Sequence, residues 1–402
     1  NLFCTISIYD EQKKEWVSKQ DVGTELVLRG TKNAIIAVPY ISLIQNKLDA
    51  NSEHGDRRDE ILGFYGEVGE PQVMERTKGL KEYIQTKEYR ESLGLSGQVT
   101  ETYTMLAQGE YNRNYTFTHP ITGQKLVLRI NFGSQMHLKD QILYEYKALK
   151  LLENSGRTPK AIYADGSCKN LPYGVMVMEF LPGHSLDYKT ELFSAAGCLA
   201  DIHSVKMPET HSLVRPEEPL KAILEECEAM VKTYMESDLG DEQKKRRIRS
   251  LLDQGWKAVK SLKSDIPYHC CINTELNSTN FLVNDRDDNE KEAYLVDWEK
   301  PLYGDPAQDL GHFLAPTTTF WKTDVILDQE QMDAFLDTYI EKVNGRFDTT
   351  GLKKRTYIYI PVTCLRGITW CAMAWVQYQQ QHHHLVLGSR NSGRTGQPDS
   401  NH

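Results

Sequence analysis

Residues 272–310 read INTELNSTNFLVNDRDDNEKEAYLVDWEKPLYGDPAQDL. Two short apolar runs, 280–283 and 293–296, flank the polar segment 284–292. Apolar runs around a polar loop predict a β-hairpin. Glu275 and Asn280 stand before the first strand, and Asp297 stands directly after the second. A carboxylate, an amide and a second carboxylate brought together at the ends of a hairpin suit a divalent cation that carries phosphates.

Upstream of this stretch the pattern is β-rich. Residues 102–106 and 115–118 read as strands joined by a turn that contains Gly109, and 125–130 reads as a third strand that includes Arg129. A strand-turn-strand with a glycine and small polar residues at its tip can lie over phosphates and bind them through backbone N–H groups. Taken alone, it is also what an ordinary hairpin looks like. Residues 140–153 carry Ile142, Leu143, Tyr146, Leu149 and Leu152 at helical spacing, with Glu145 at or near the inner face. An acid beside a core face calls for a basic partner, because an unpaired buried charge is costly. Arg129 is the nearest candidate. The run 174–181, which contains Met178, Glu179 and Leu181, reads as a buried strand ending at Pro182-Gly183.

Downstream the pattern turns helical. Leu192, Phe193, Ala196, Leu199 and Ile202 form a stripe that ends at His203, a position read as structural. Two charged amphipathic helices span 219–263, and the basic run Lys244-Lys245-Arg246-Arg247 falls on a solvated face of the second. Glu225, Glu226 and Glu228 read as an exposed acidic face. Further helices are expected over 329–343 and 353–380, followed by a disordered tail over 381–402. At the other end, residues 71–95 read as helical. Residues 1–70 form an accessory segment, with strand patterns over 3–9, 25–28 and 34–38 and no chemical motif.

Composition narrows the classes. A chain of 402 residues, 40% hydrophobic, is long enough for two or three packed lobes. With 47 Lys and Arg against 56 Asp and Glu, the net charge of −9 argues against a general nucleic-acid binder. Eight cysteines without a Cys-x-x-Cys pair fit reduced, mostly buried thiols rather than a zinc site. The longest apolar run, 34–44, is broken by Pro39 and Tyr40 and falls well short of the ~20 residues that span a bilayer. The expectation is a cytoplasmic protein with no membrane partner, its oligomeric state open.

With these parts in order, the sequence resembles the aminoglycoside phosphotransferase and choline kinase family, relatives of the protein kinases, over about residues 96–380. The family's catalytic loop runs His-x-Asp, four residues, then Asn and an apolar run. Asn273-Thr274-Glu275-Leu276-Asn277-Ser278-Thr279-Asn280-Phe281 has that spacing. Asp297-Trp298-Glu299 resembles the family's metal-binding motif. Gly304-Asp305-Pro306-Ala307-Gln308-Asp309-Leu310 matches the run that follows it, and Leu199-Ala200-Asp201-Ile202-His203 resembles a further family helix.

The resemblance implies an α+β, two-lobed protein-kinase-like fold: an accessory segment over 1–70, a β-rich N-lobe over 71–182 and a helical C-lobe over 183–380. It implies transfer of a phosphoryl group from ATP, with GTP as the alternative donor, to a hydroxyl of a small molecule such as an aminoglycoside, a choline-like amine or a sugar. By the same resemblance, Asp297 and Asn280 would hold Mg²⁺, the Gly109 turn would cover the phosphates, and Arg129, steadied by Glu145, would take the place of a phosphate-binding Lys. Met178, Glu179 and Leu181 would form the hinge against the base. Asp305 and Asp309 would brace the loop. The sequence departs from the pattern at three positions: Asn273 replaces His, Arg129 replaces Lys, and Glu275 stands where an Asp base is expected, one methylene longer, or roughly 1.5 Å of reach. Such a chain is a working kinase, or a nucleotide-binding regulator that has lost transfer. A protein kinase fits less well, because no Asp-Phe-Gly to Ala-Pro-Glu segment frames an activation loop.

Overall fold

The computed structural model describes residues 7–10, 15–18, 77–109, 111–134, 136–261, 266–285 and 291–391. Within the N-terminal segment it describes one antiparallel pair, β1 (Ser7–Asp10) with β2 (Glu15–Ser18). The strand patterns over 25–28 and 34–38 lie outside the described residues, and so does most of the accessory segment.

The helix expected over 71–95 is two short ones within the described residues, α1 (Leu80–Tyr83) and α2 (Lys87–Ser92). Thr86 divides them. Its backbone is extended and its hydroxyl accepts from the Tyr89 N–H, so it caps α2 instead of continuing α1.

Five antiparallel strands follow: β3 (Thr104–Gln108), β4 (Asn112–Thr118), β5 (Lys125–Asn131), β6 (Ala161–Asp165) and β7 (Gly174–Glu179), in the order β3-β4-β5-β7-β6. Both faces of the central strands β5 and β7 are buried, and the two-residue period decides what each face carries. Leu126, Leu128 and Ile130 of β5, with Val175 and Val177 of β7, pack in one cluster with Leu80, Tyr83 and Tyr89 of α1 and α2. Val127, Met176 and Met178 fall in a second cluster with Ile142, Ala148 and Leu149 of α3 (Gln141–Leu152). Arg129 alternates with Val127 and so faces α3. Glu145 lies on the inward stripe of α3 with Ile142, Leu149 and Leu152. The strand period and the helix period thus bring these two charges together.

After β7 the chain crosses to the second lobe through β8 (His184–Ser185), which pairs with β10 (Phe281–Asp285). The second lobe contains α4 (Leu192–His203), α5 (Pro219–Glu236), α6 (Glu242–Ser261), β9 (Cys270–Ile272), β11 (Lys291–Leu295), β12 (Leu302–Gly304), α7 (Pro306–Leu314), α8 (Pro316–Lys322), α9 (Gln329–Val343) and α10 (Leu352–Asn391). β10 and β11 form the expected hairpin, with Phe281 opposite Leu295 and Val283 opposite Ala293. All four side chains are buried in the large core that continues from the α3 side of the sheet. α10 runs to Asn391, past the expected end at 380, so 381–391 are helical where a tail was expected; residues 392–402 lie outside the described set. Residues 244, 246 and 247 of the basic run are exposed. Among the described residues no helix is long and apolar enough to cross a membrane, and the seven described cysteines are free.

The Gly304-Asp305-Pro306 run has a local physical reason at each position. β12 pairs with β9, and a Cβ on Gly304 would come within 2.7 Å of the Ile272 side chain. Asp305 caps α7 by accepting from the Ala307 N–H at 3.0 Å. Pro306 occupies the first turn of α7, where its missing N–H costs nothing. Further along α7, a Cβ on Gly311 would meet Tyr359 Cβ at 2.5 Å and the Thr356 carbonyl at 3.0 Å, so α7 and α10 touch backbone to backbone.

Candidate active site

The loop from Asn273 to Asn280 emerges from β9 and is held by backbone-directed bonds. Asp309, fully buried in the first turn of α7, accepts from the Asn273 N–H and the Thr274 N–H, each at 2.7 Å. His203 Nε2 lies 3.2 Å from the same carboxylate, and His203 Nδ1 is 2.8 Å from the Tyr339 hydroxyl. With Nε2 donating to Asp309, Nδ1 accepts from Tyr339. Thr274 has a φ of 72°, a left-handed conformation that a β-branched residue rarely adopts. The paired bonds to Asp309 hold it there. The Thr274 hydroxyl donates to the Lys300 carbonyl at 2.8 Å. Asn273 Nδ2 donates to the Asp297 carbonyl at 2.8 Å, so an amide at this position ties the two loops together. Asn280 Nδ2 donates to the Glu275 carbonyl at 3.0 Å. Two of the expected site residues are therefore directly joined, through the Asn280 side chain and the Glu275 backbone.

Asp297 follows β11 with a φ of 65°, a second left-handed non-glycine. Its side chain is 41% exposed, yet Oδ1 is buried and has no hydrogen-bond partner. Arg129 Nη1 lies 3.5 Å from Oδ1, an ion-pair distance rather than a hydrogen bond. The same Nη1 pairs with Glu145, and Arg129 Nε donates to Asn114 at 3.0 Å. Burial pushes the Glu145 carboxyl above its ordinary range, against the pull of Arg129 and with the help of Asp297. Burial works to lower the Arg129 pKa, but Glu145, Asp297 and Glu299 together hold it above the usual guanidinium value.

Glu299 also lies at this junction, and the sequence alone assigns it no role. It accepts from Asn112 of β4, and its backbone carbonyl accepts from Gln141 of α3 at 2.6 Å. Tyr144 adds a third tie between the lobes by donating to the Pro301 carbonyl at 2.5 Å. Burial first, and then the charge of Asp297, pushes the Glu299 carboxyl up to about 8. Glu145, Asp297 and Glu299 thus act electrostatically on one guanidinium, and two of them, Glu145 and Glu299, are pushed toward the protonated form. Glu299 could have been noticed as the third residue of the Asp297 motif, but its partner Asn112 is 187 positions away in sequence.

The remaining expected residues lie along the sheet. Gly109 sits at the β3–β4 turn, where its N–H donates to the Asn112 carbonyl at 2.8 Å. A Cβ there would meet nothing nearer than 3.9 Å, so the fold itself makes no demand for glycine. Met178 is buried on β7. The Glu179 N–H donates to the Lys160 carbonyl at 2.9 Å and is already engaged within the sheet. Leu181 is half-buried just past β7.

A second charged cluster surrounds Glu275. Arg366 of α10 donates to both oxygens of Glu226 at 2.9 Å, and its Nη2 is 3.4 Å from Glu275 Oε1. Lys300 Nζ also reaches Glu226, at 3.2 Å. The exposed acidic face expected over 225–228 is therefore divided. Glu225 and Glu228 are exposed, but Glu226 turns inward to two cations. His312 stands uncharged nearby, its pKa pushed down to about 3 by burial and by Arg366.

Burial alone would raise the Glu226 pKa, but Arg366 and Lys300 overcome it and hold the carboxyl down to about 2. An acid whose folded pKa is depressed adds stability above its unfolded pKa, and that stability is lost as pH falls through the folded value. Glu226→Gln is expected to lower stability by about 1–3 kcal/mol at pH 7, after allowance for partial solvent screening. The gap between parent and variant narrows from about pH 4.5 down to about pH 2. Urea unfolding at a series of pH values checks this, and a gap that stays constant over that window contradicts it.

A five-stranded antiparallel sheet joined by a short crossover to a helical lobe, with two acidic loops at the junction, is the two-lobed protein-kinase-like fold. The chain belongs to the phosphotransferase enzyme family, whose sequence model matches residues 102–349, more than half of its length. Among solved structures it is similar to the choline kinase of Cryptosporidium parvum, at 14% identity over 79% of this chain and 95% of that one, with a TM-score of 0.52. It is also similar to the ethanolamine kinase of Plasmodium vivax, at 15% identity over 79% and 90%, with a TM-score of 0.50. At these identities the likeness is one of fold. No curated protein sequence matches the chain.

Proposed function

We propose that the chain moves the γ-phosphoryl group of ATP, in the presence of Mg²⁺, to a hydroxyl of a small molecule. The observation that carries this reading is Asp297. Its Oδ1 is buried without a hydrogen-bond partner, in strained backbone at the junction of the lobes. A carboxylate oxygen in that condition, beside the buried Glu145, the half-buried Glu299 and one guanidinium, fits a divalent cation. Among the described residues no three His, Cys, Asp or Glu side chains form a metal cage of their own. Mg²⁺ needs no such cage: it keeps waters and takes one or two protein ligands together with substrate phosphates. Asp297 Oδ1 and the Asn280 amide oxygen would hold it. Once bound, it would neutralise charge on the phosphates.

The protein's own groups supply the rest. Arg129, fixed by Glu145 and Asn114, presents a positive charge to the phosphates. The acceptor oxygen forms its bond to the γ-phosphorus as the bond to the bridging oxygen breaks. Glu275 takes the hydroxyl proton, and ADP departs. Transfer of this kind rests mainly on positioning and charge stabilisation, so a Glu in place of an Asp is compatible with turnover.

The test is ADP release from Mg-ATP over choline, ethanolamine, aminoglycosides, sugars and amino-alcohols. Acceptor-stimulated release supports transfer. Mg-dependent nucleotide binding with no stimulation by any acceptor supports the regulator instead.

A further inference from the structure

We propose that Arg366 is the positioning residue for Glu275: it reaches across from the C-terminal helix, anchored on Glu226, and holds the Glu275 carboxylate where an acceptor hydroxyl would be met. The proposal rests on the phosphotransfer reading.

The backbone of Glu275 is fixed at both ends. Its N–H donates to Asn273 Oδ1 at 3.1 Å, and its carbonyl accepts from Asn280 at 3.0 Å. Neither bond orients the side chain. Glutamate has one more rotatable bond than the aspartate of the family pattern, and its carboxylate sweeps a correspondingly wider arc. Left free, a half-exposed glutamate samples several rotamers. Arg366 Nη2 lies 3.4 Å from Oε1 and supplies a fixed charge at one end of that arc.

Arg366 is itself held in several ways. Both Glu226 oxygens accept from it, an arrangement that fixes the plane of the guanidinium. Its side chain is only 19% exposed. At the next position, a Cβ on Gly367 would come within 3.1 Å of Thr317, so α10 is pressed against α8 at this level. The anchor Glu226 is tied in turn to the metal loop through Lys300. The Lys300 carbonyl accepts from Thr274, the residue before Glu275. The chain Glu226–Arg366–Glu275 therefore closes on the same loop from two sides. Neutralising Glu226 alone would not need Arg366 Nη2 to be shared. Lys300 already stands on that carboxylate, and the shared Nη2 is 2.9 Å from Glu226 and 3.4 Å from Glu275.

The roles follow from reach. Arg366 acts through Glu275, so its removal should lower kcat and leave the KM for nucleotide near the parent value. A side-chain displacement of about 1 Å at a reacting group costs on the order of 10²-fold in rate. Lysine keeps the charge without the two-pronged contact, so it restores part of the loss.

The experiment measures ADP release from Mg-ATP, with water and with the acceptor panel above. The chains are the parent, Arg366→Met, Arg366→Lys, Glu275→Gln and the double variant Arg366→Met/Glu275→Gln. Thermal melting and nucleotide-analogue binding are measured on each. The expected result is a kcat loss of ~10–10²-fold for Arg366→Met with KM for ATP within about twofold, a smaller loss for Arg366→Lys, and no further loss when Arg366→Met is added to Glu275→Gln. Losses that multiply in the double variant overturn the proposal, as does a KM effect without a kcat effect. If Arg366→Met does not fold, Arg366→Lys and its cycle with Glu275→Gln carry the same decision. A parent chain whose ADP release no acceptor stimulates overturns the phosphotransfer reading, and this proposal with it; losses that multiply in an acceptor-stimulated parent overturn only the role of Arg366.

Discussion

Asp297→Asn is expected to lower phosphoryl transfer by ~10³-fold or more while leaving the nucleotide-free chain at least as stable as the parent. The two halves of this result have one cause. In the free chain Asp297 is a liability: its Oδ1 is buried without a hydrogen bond, and its charge helps push Glu145 and Glu299 above their ordinary carboxyl ranges. Neutralising it removes repulsion between like charges. Arg129 keeps Glu145 and Asn114 as partners. The same negative charge is what a divalent cation needs. An amide in its place removes most of that attraction in a partly water-excluded site, where electrostatic contributions are large. Parent and variant are compared by thermal melting with Mg²⁺ alone, with a non-hydrolysable nucleotide alone and with both. At 100 times the dissociation constant, a ligand that binds only the folded state adds about 2.7 kcal/mol. The parent should show that gain with both ligands, and the variant should show it with neither combination. A variant that keeps the Mg-dependent gain, or one that is clearly less stable when free, removes Asp297 from the role proposed for it.

How much of this was legible in the sequence depended on the range of the interaction. The hairpin of β10 and β11 and the helix α3 followed from apolar periodicity, because each is organised by neighbours two to four positions apart. Arg129 and Glu145 could be paired in advance because both periods point inward and only one loop separates them. The boundary between α1 and α2 was missed because Thr86 had to be weighed as a cap against a continuing helical pattern. The end of α10 is not legible in the sequence, because polar composition marks an exposed helix end and a disordered tail alike. At the candidate site, Asp297, Asn280 and Glu275 were singled out by spacing together with the family resemblance. Glu299 and Arg366 were not, because their meaning comes from Asn112, Glu226 and Glu275, at separations of 187, 140 and 91 residues. No local pattern marks such a partner. Glu226 illustrates the limit well: three acids within four positions look alike as a helix face, and only the arrival of α10 turns one of them inward.

Asp309→Asn should lower stability by about 3–5 kcal/mol and, in the fraction that remains folded, transfer by ~10²-fold. Asp309 is fully buried and accepts two backbone N–H bonds of 2.7 Å, with His203 Nε2 at 3.2 Å as its third neighbour. Hydrogen bonds to a charged acceptor contribute about 1.5–3 kcal/mol each. Asparagine offers one oxygen and one NH₂ group to what is a set of donors. Whichever way the amide turns, a donor faces a donor, and the other bond loses its charge assistance. The loss falls on Thr274, whose left-handed backbone costs on the order of 1–3 kcal/mol and persists only while both N–H groups are held. Once released, Thr274 relaxes toward ordinary φ and carries the next residue, Glu275, with it. Asp305→Asn is the informative contrast. Asp305 is equally buried but holds Arg355 and the start of α7 rather than the loop. It should lower stability to a similar degree without the same loss of kcat below its melting transition. Denaturant midpoints and turnover rates measured at a temperature where all three chains are folded separate the two effects. Equal kcat in the parent and Asp309→Asn would show that the loop does not depend on Asp309 for its geometry. Equal losses of kcat in both variants would show that the effect travels through α7 as a whole rather than through the two N–H bonds to the loop.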